Sequence, residues 1–343
     1  MTRARQVLIR TEGGRAIGFG HVRRCLTLAQ ALRRKAAVVT FLVGEDPVIR
    51  EQIGTSGFVA EPIAMERDPY ETVRWCDRLQ AEVVVVDSYR FPARWLEALA
   101  PKKRLVVTID DHGDGEFPAE VVVVHCAPGA ERLPPARART FAGPCYALLR
   151  PEFAQPVERR LSREVTRVLI MLGGGDPHGL TPRLIEWTRR TLGPVQIDVV
   201  IGPLCDEKMV GGLNGRHPGI TYHRQPSHIR DLMLAADLAV SGGGQTTYEL
   251  AATGTPAIAI RLAENQTNTL QGFAEAGALL WAGDVSDPDL EGRLIEMLTR
   301  LTQDSARRIT MSATGRRLVD GRGATRVARG IVEQVEQAAV AGS

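Results

Sequence analysis

The sequence predicts an α/β protein built on two doubly wound parallel sheets, and three observations carry that prediction. Short runs of aliphatic and β-branched residues recur along the whole chain, stretches of helical periodicity alternate with them, and glycine turns follow several runs directly. Strands that are apolar throughout are buried on both faces, the condition of a parallel sheet covered by helices. At 343 residues the chain exceeds one ordinary core, so two domains are expected.

The elements follow in order. Val7-Leu8-Ile9 reads as the first strand, and Val22, Cys25, Ala29 and Leu32 recur behind it at helical spacing. Runs at 38–43, 83–86, 105–109 and 121–124 read as further strands. Pro134-Pro135 and the arginines around them mark a loop. The polar stretch from Gln155 to Glu164 marks a domain boundary, giving domains 1–154 and 155–343. The second half repeats the logic, with strands at 168–172, 197–201, 220–223, 238–240 and 257–260 and helical patterns at 180–192, 290–301 and 325–338. The last helix is expected to pack back on the N-terminal domain. Two such sheets facing each other leave a central cleft at the carboxyl ends of their strands, the usual ligand position in open α/β sheets.

Composition narrows the function classes. Apolar residues make up 44% and charged residues 24%, both globular values. The 43 basic and 40 acidic residues leave a net charge of +3, which argues against nucleic acid as a partner. No window holds the roughly 18 uninterrupted apolar residues of a membrane span, and Thr2-Arg3-Ala4-Arg5 lead straight into a strand, so neither a membrane nor a signal peptide is expected. The five cysteines are dispersed without C-x-x-C spacing, which fits a reducing cytoplasm and gives no zinc site.

The most informative segment runs from Ala236 to Gly277. A strand enters Gly242-Gly243-Gly244, and a helix opens at Gln245-Thr246-Thr247 with Glu249 in its early turns; Asn265 and Gln266 open the next helix. A glycine turn at a helix start gathers backbone N–H groups and a positive dipole end, an anion site suited to phosphate. Glu249 could accept from a ribose hydroxyl pair, or could compensate the dipole. The earlier turn, Gly13 to His21, lacks the G-x-G-x-x-G pattern because Arg23 stands where the last glycine belongs. It also lacks the Gly-Lys-Ser/Thr ending of a P-loop.

His21 is the leading catalytic candidate. It follows Gly18 and Gly20 at the carboxyl end of the first strand, where a helix begins and its dipole favours a neutral ring able to take a proton. A histidine that merely caps the helix would occupy the same place. Asp87 and Tyr89, and Asp110-Asp111, end later strands, so they either face the cleft or cap turns. The remaining histidines, His112, His125, His178, His217, His223 and His228, show no ligand spacing and read as loop or surface residues. No carboxylate cluster calls for magnesium, and no cofactor is expected.

Six motifs in order carry a resemblance: Arg10 with I-G-F-G-H-V-x-R-C-L-x-L-A (17–29), V-V-D-x-Y (85–89), I-D-D (109–111), Y-A-L-L-R-P-E-F (146–153), G-G-G-D-P (173–177) and G-G-G-Q-T-T-x-E…N-Q (242–266). Together they resemble the UDP-sugar hydrolases of pseudaminic acid biosynthesis, the PseG family, with its spore-coat polysaccharide relatives. The last block is shared with MurG-like glycosyltransferases. The resemblance implies a GT-B fold of two Rossmann-like domains and a small-molecule UDP-sugar substrate, a UDP-linked diacetamido-trideoxyhexose. It implies His21 as general base on a water attacking the anomeric carbon, in cell-surface or flagellin glycan synthesis. The diphosphate would rest on the backbone of Gly243 to Thr246, Glu249 would hold the ribose, and Asn265 would lie near nucleotide or sugar. Arg10, Gly18, Gly20, Asp87, Tyr89, Arg150, Gly173, Gly174, Gly242, Gln245 and Gln266 match further substrate-binding positions. The chain departs from the family at Glu12, where others carry Asp, and at Ser88, where D-H-Y is usual; both positions face the sugar in the implied cleft. An inverting glycosyltransferase, with an acceptor hydroxyl in place of water, would use the same residues.

Overall fold

The computed structural model describes residues 4–14, 18–88, 90–91, 93–99, 104–110, 119–124, 138–205 and 218–341. The chain divides into two compact units. Unit 2 is Pro151–Gly321, and unit 1 comprises the described residues before it together with those from Arg322 on. The chain thus leaves unit 1 at Arg150–Pro151, a little before the expected 154/155 boundary. The segment from Gln155 to Glu164 lies wholly in unit 2. There Arg159 donates to the carbonyls of Met233 (2.9 Å) and Ala236 and to Thr255 Oγ1 (3.2 Å). Burial pushes this guanidinium down to about 10, against the opposing charge of Asp237. A cation set on the last carbonyls of a helix satisfies acceptors the helix cannot.

Unit 1 holds a seven-stranded parallel sheet. Its strands are β1 (Arg5–Thr11), β2 (Ala37–Val43), β3 (Val59–Pro62), β4 (Val83–Asp87), β5 (Leu105–Asp110), β6 (Val121–Val124) and β7 (Arg139–Ala142), in the spatial order β3-β2-β1-β4-β5-β6-β7. Chain order runs outward from β1 to one edge, then restarts beside β1 at β4. That reversal between β1 and β4 is the topological switch point, where open α/β sheets leave room for a ligand. The strands β4, β5 and β6 are buried along their entire lengths, which is why, apart from Thr108 and the terminal Asp87 and Asp110, they are built of valine, leucine and isoleucine. The helices are α1 (Gly20–Arg33), α2 (Pro47–Thr55), α3 (Tyr70–Leu79) and α4 (Ala93–Glu97). Asp46 starts α2 by accepting from the N–H groups of Val48 and Ile49, with Pro47 in the first turn.

Unit 2 holds a six-stranded parallel sheet of β8 (Arg167–Met171), β9 (Gln196–Ile201), β10 (Ile220–Arg224), β11 (Leu238–Gly242), β12 (Ala257–Arg261) and β13 (Leu280–Asp284). Its order, β10-β9-β8-β11-β12-β13, is that of a Rossmann sheet, with the switch point between β8 and β11. The helices are α5 (Thr181–Leu192), α6 (Ile229–Ala235), α7 (Gln245–Thr253), α8 (Thr267–Glu275), α9 (Leu290–Gln303) and α10 (Ser305–Leu318). Val168, Ile170, Ile197, Val199, Leu238, Val240, Ile258 and Ile260 from the sheet meet Leu294, Leu298 and Leu301 of α9 in one core.

The final helix, α11 (Gly323–Ala341), belongs to unit 1 and packs against α1. Arg326 donates to the Cys145 carbonyl (2.9 Å), and Arg139 pairs with Glu333 (2.9 Å). Just before it, Gly321 has φ +73°, and a Cβ there would lie 2.1 Å from the Phe153 carbonyl oxygen. Only glycine fits both the backbone conformation and that approach. Gly321→Ala is expected to lower unfolding stability by roughly 2–4 kcal/mol, read from urea denaturation. An unchanged midpoint would show that the two segments separate at little cost. No helix among the described residues is long and apolar enough to cross a membrane.

Candidate functional site

The unit 1 switch point places a buried ionic cluster at the carboxyl ends of β1 and β4. Thr11 and Asp87, the last residues of these strands, lie side by side in register. His21 is the second residue of α1, the helix that follows β1. It is buried, with its side chain 5% exposed, and Nδ1 lies 2.6 Å from Asp87 Oδ1. Arg24, one turn further on, grips the same carboxylate through Nε to Oδ2 (2.7 Å) and Nη2 to Oδ1 (2.5 Å). The Cys25 thiol donates to Oδ2 at 3.3 Å. Residues at i, i+3 and i+4 of a helix share one face, so α1 presents His21, Arg24 and Cys25 to Asp87 together.

This cluster is electrostatically lopsided. Burial alone would raise the Asp87 carboxyl, but the Arg24 charge, then the His21 ring and the hydrogen bonds from both, hold it well below the usual carboxylate range. Burial and the neighbouring Asp87 push the Cys25 thiol up, so it stays protonated and inert. A carboxylate at 2.6 Å assigns the proton of a neutral His21 to Nδ1 and leaves the ring's lone pair on Nε2. The sequence points only to the helix dipole at this ring; the structure adds a carboxylate partner that fixes its orientation.

Two expected substrate-binding residues are engaged within the protein here. Asp87 was expected to contact substrate; it is fully buried and both its oxygens accept from protein donors. It stands behind the imidazole. Arg10 was expected to contact substrate, yet it is fully buried, with Nε and Nη2 on Asp68 (2.9 and 2.7 Å) and its guanidinium 4.8 Å from the Phe91 ring centre. It braces β1 against the start of α3. Gly18 holds a φ of +85°, and an added Cβ at Gly18 or Gly20 would meet nothing within 4 Å among the described residues other than its chain neighbours. Glu12 and Ser88, each one residue beyond the strand ends, hydrogen-bond to one another. Tyr89, Asp111, His112, His125 and His217 lie outside the described residues. Arg150 is half-buried at the end of unit 1.

In unit 2 the switch point brings two glycine turns together, Gly173–Gly175 after β8 and Gly242–Gly244 after β11. A Cβ on Gly173, whose φ is +88°, would lie 3.9 Å from Thr246 Oγ1. Gly242 and Gly243 are buried for packing, since added Cβ atoms would press on Leu262 (2.7 Å) and Leu270 (2.6 Å). The Gly243 N–H is already taken by Gln266 Oε1 at 3.2 Å, and the same oxygen accepts from Leu262 N–H at 2.9 Å. Two backbone donors on one oxygen settle that amide's orientation. Gln266 is thus a staple across the turn, and the diphosphate expected on Gly243 loses that donor. The open edge begins at Gly244, which is half-buried and whose N–H has no acceptor among the described residues. Gln245 and Glu249 are half-buried, Thr246 is buried and Asn265 is exposed. Gly174 closes against the turn after β9, where the Leu204 N–H donates to its carbonyl at 2.8 Å.

Sequence reasoning missed Arg24 and Cys25 as partners of Asp87, although their helical spacing from His21 was visible. It also read His223 as a loop or surface residue. His223 lies in β10 with Nε2 2.8 Å from Asp198, which Arg167 also binds at 2.5 Å. Asp198 sits mid-strand beside Leu169, away from the carboxyl ends, so this pair ties the sheet together.

No protein-family model matches the chain. It is 24% identical over 340 residues to the spore coat polysaccharide biosynthesis protein SpsG of Bacillus subtilis (strain 168), covering 95% of this chain and 97% of that one. Among solved structures it is similar to MurG of Acinetobacter baumannii, with TM-score 0.69 and 16% identity over 96% of this chain and 99% of that one. It is also similar to the glycosyltransferase VinC in complex with DTDP, with TM-score 0.65 and 16% identity over 97% and 100% of the two chains. These likenesses and the two parallel sheets establish the fold: the chain has the GT-B fold, two Rossmann-like domains of the kind found in glycosyltransferase structures.

Proposed function

We propose that the chain is a hydrolase that releases UDP from a UDP-linked diacetamido-trideoxyhexose, with His21 as the general base. The observation that carries this reading is the buried His21–Asp87 pair at the unit 1 switch point, directly after the glycines at 18 and 20. The near full-length similarity to SpsG supports a role in surface polysaccharide synthesis. That VinC was solved with DTDP supports a nucleoside diphosphate as the bound group.

The chemistry asks little of the protein. Nε2 of His21 takes one proton from water while the water oxygen bonds to the anomeric carbon. The anomeric C–O bond to the diphosphate breaks, and the electron pair leaves with UDP. Imidazolium formed in that step is stabilised by the ionised Asp87 on its other nitrogen. The Gly244 N–H and the N-terminus of α7, both in unit 2, form an anion site of the kind that suits a diphosphate. Gln266 Nε2 would lie 3.8 Å from a Cβ on Gly244, within reach of the same anion.

Incubation of the purified protein with the UDP-linked diacetamido sugar, without any acceptor, is expected to yield UDP and free sugar in equal amounts. A second reading, an inverting glycosyltransferase, is favoured by the fold likeness to MurG and VinC. UDP release that starts only when an acceptor alcohol is added would establish that reading and reject hydrolysis.

A further inference from the structure

We propose that Arg24 is a positioning residue that keeps Nε2 of His21 unprotonated by neutralising the buried Asp87. Its catalytic consequence rests on the reading of His21 as the base. Asp87 is fully buried, and its Oδ1 receives both His21 Nδ1 (2.6 Å) and Arg24 Nη2 (2.5 Å). Arg24 Nη2 also lies 2.9 Å from His21 Nδ1. Nδ1 can either donate to the carboxylate or accept from the guanidinium, and it cannot do both. The second Arg24 bond, Nε to Oδ2 at 2.7 Å, makes a planar two-point clamp that keeps the carboxylate ionised, so Nδ1 donates.

Without the guanidinium charge, the pair would be a buried anion whose remaining donors among the described residues are an imidazole and the thiol of Cys25. A buried charge without its partner neutralises by binding a proton. Either the imidazole becomes doubly protonated, or the carboxyl carries the proton and donates it to Nδ1, leaving N–H on Nε2. Both outcomes occupy Nε2, and neither can accept a proton from water. Because the two groups titrate as a unit, the change belongs to the pair. Among the described residues, these charged and titratable groups on and beside the surrounding elements have partners of their own. Cys25 donates to Asp87, Glu12 beyond β1 is held by Ser88 and lies 3.6 Å from Arg90, and Asp110 ends the neighbouring strand β5. On α11, Arg326 is held by Cys145 and Glu333 by Arg139. Arg24 is thus the cation joined to Asp87 through both oxygens.

The test uses full-length protein labelled with nitrogen-15 histidine, with the His21 signals assigned by their loss in His21→Asn. At neutral pH the parent is expected to show a neutral ring protonated on Nδ1. Arg24→Met is expected to show a ring protonated on Nε2 or on both nitrogens. Arg24→Lys, which keeps the charge and loses the fork, is expected to recover the parent pattern in part. For UDP release, Arg24→Met should lower kcat at least about 10-fold with little change in KM, and should move the acid limb of the pH profile upward. If Arg24→Met does not fold, Arg24→Gln serves as the neutral variant, judged by the same spectra. A parent-like Nδ1–H pattern in the neutral variant would overturn the proposal. If the parent releases no UDP from any UDP-sugar, the hydrolase reading falls, while the spectra still decide the role of Arg24.

Discussion

Replacing His21 by Asn is expected to abolish UDP release, lowering kcat by at least about three orders of magnitude, while UDP binds within about twofold of the parent affinity. Asparagine keeps a polar side chain of similar reach on α1 but has no group that accepts a proton at neutral pH. The UDP-binding residues proposed here lie in unit 2, at Gly244 and the start of α7, and do not include position 21. Stopped assays with the UDP-sugar and calorimetry with UDP separate the two quantities. Retained turnover would remove His21 from the mechanism. Lost turnover together with lost UDP binding would mean that the substitution damages the fold.

Asp87→Asn carries the second large effect. The amide can turn its N–H towards Nδ1 of His21, which selects the ring tautomer protonated on Nε2, and kcat is expected to fall by about 10³–10⁴-fold. Stability should change as well. The native Asp87 carboxyl is held well below its ordinary range, so its contribution to folding is complete above the unfolded value near about 3.9. That contribution is lost as pH falls through the lower native value. In Asp87→Asn this acid dependence disappears, and at neutral pH the buried Arg24 loses its bonds to the Asp87 carboxylate, at a cost of roughly 3–5 kcal/mol. Urea denaturation across an acidic pH series reads both effects. A variant as stable as the parent at neutral pH would show that the Arg24–Asp87 pair is not worth its desolvation.

What the sequence made legible follows from burial. Strands enclosed on both faces, such as Val83–Asp87 and Val121–Val124, declare themselves as unbroken apolar runs. The edge strand Val59–Pro62 has no fully buried residue, so no such run marks it. Helix α10 hid for a different reason. It crosses α7 through Gly315, where an added Cβ would lie 3.1 Å from the Ala251 Cα, and it buries Arg308 on the carbonyls of Ser162 and Arg163. Small residues and a buried arginine carry its packing, so no apolar stripe marks it.

The site was legible in the same uneven way. His21 stood out because glycines precede it at a strand end. Asp87 stood out too, but a carboxylate at a strand end can point to ligand or to core, and only the register of β1 with β4 decides. Arg24 was hidden because a helical arginine ordinarily reads as a solvated face. Gln266 was visible as a polar residue after β12, yet its bonds to Gly243 and Leu262 depend on how two loops fold back on each other.

The most direct test of the central claim is hydrolysis in oxygen-18 water, with mass analysis of the released UDP. If His21 delivers water to the anomeric carbon, the UDP carries no label beyond that of its precursor, and it forms without an acceptor. Label in the terminal phosphate would place the attack at phosphorus, and UDP appearing only with an added acceptor would make the chain a transferase; either result contradicts the account.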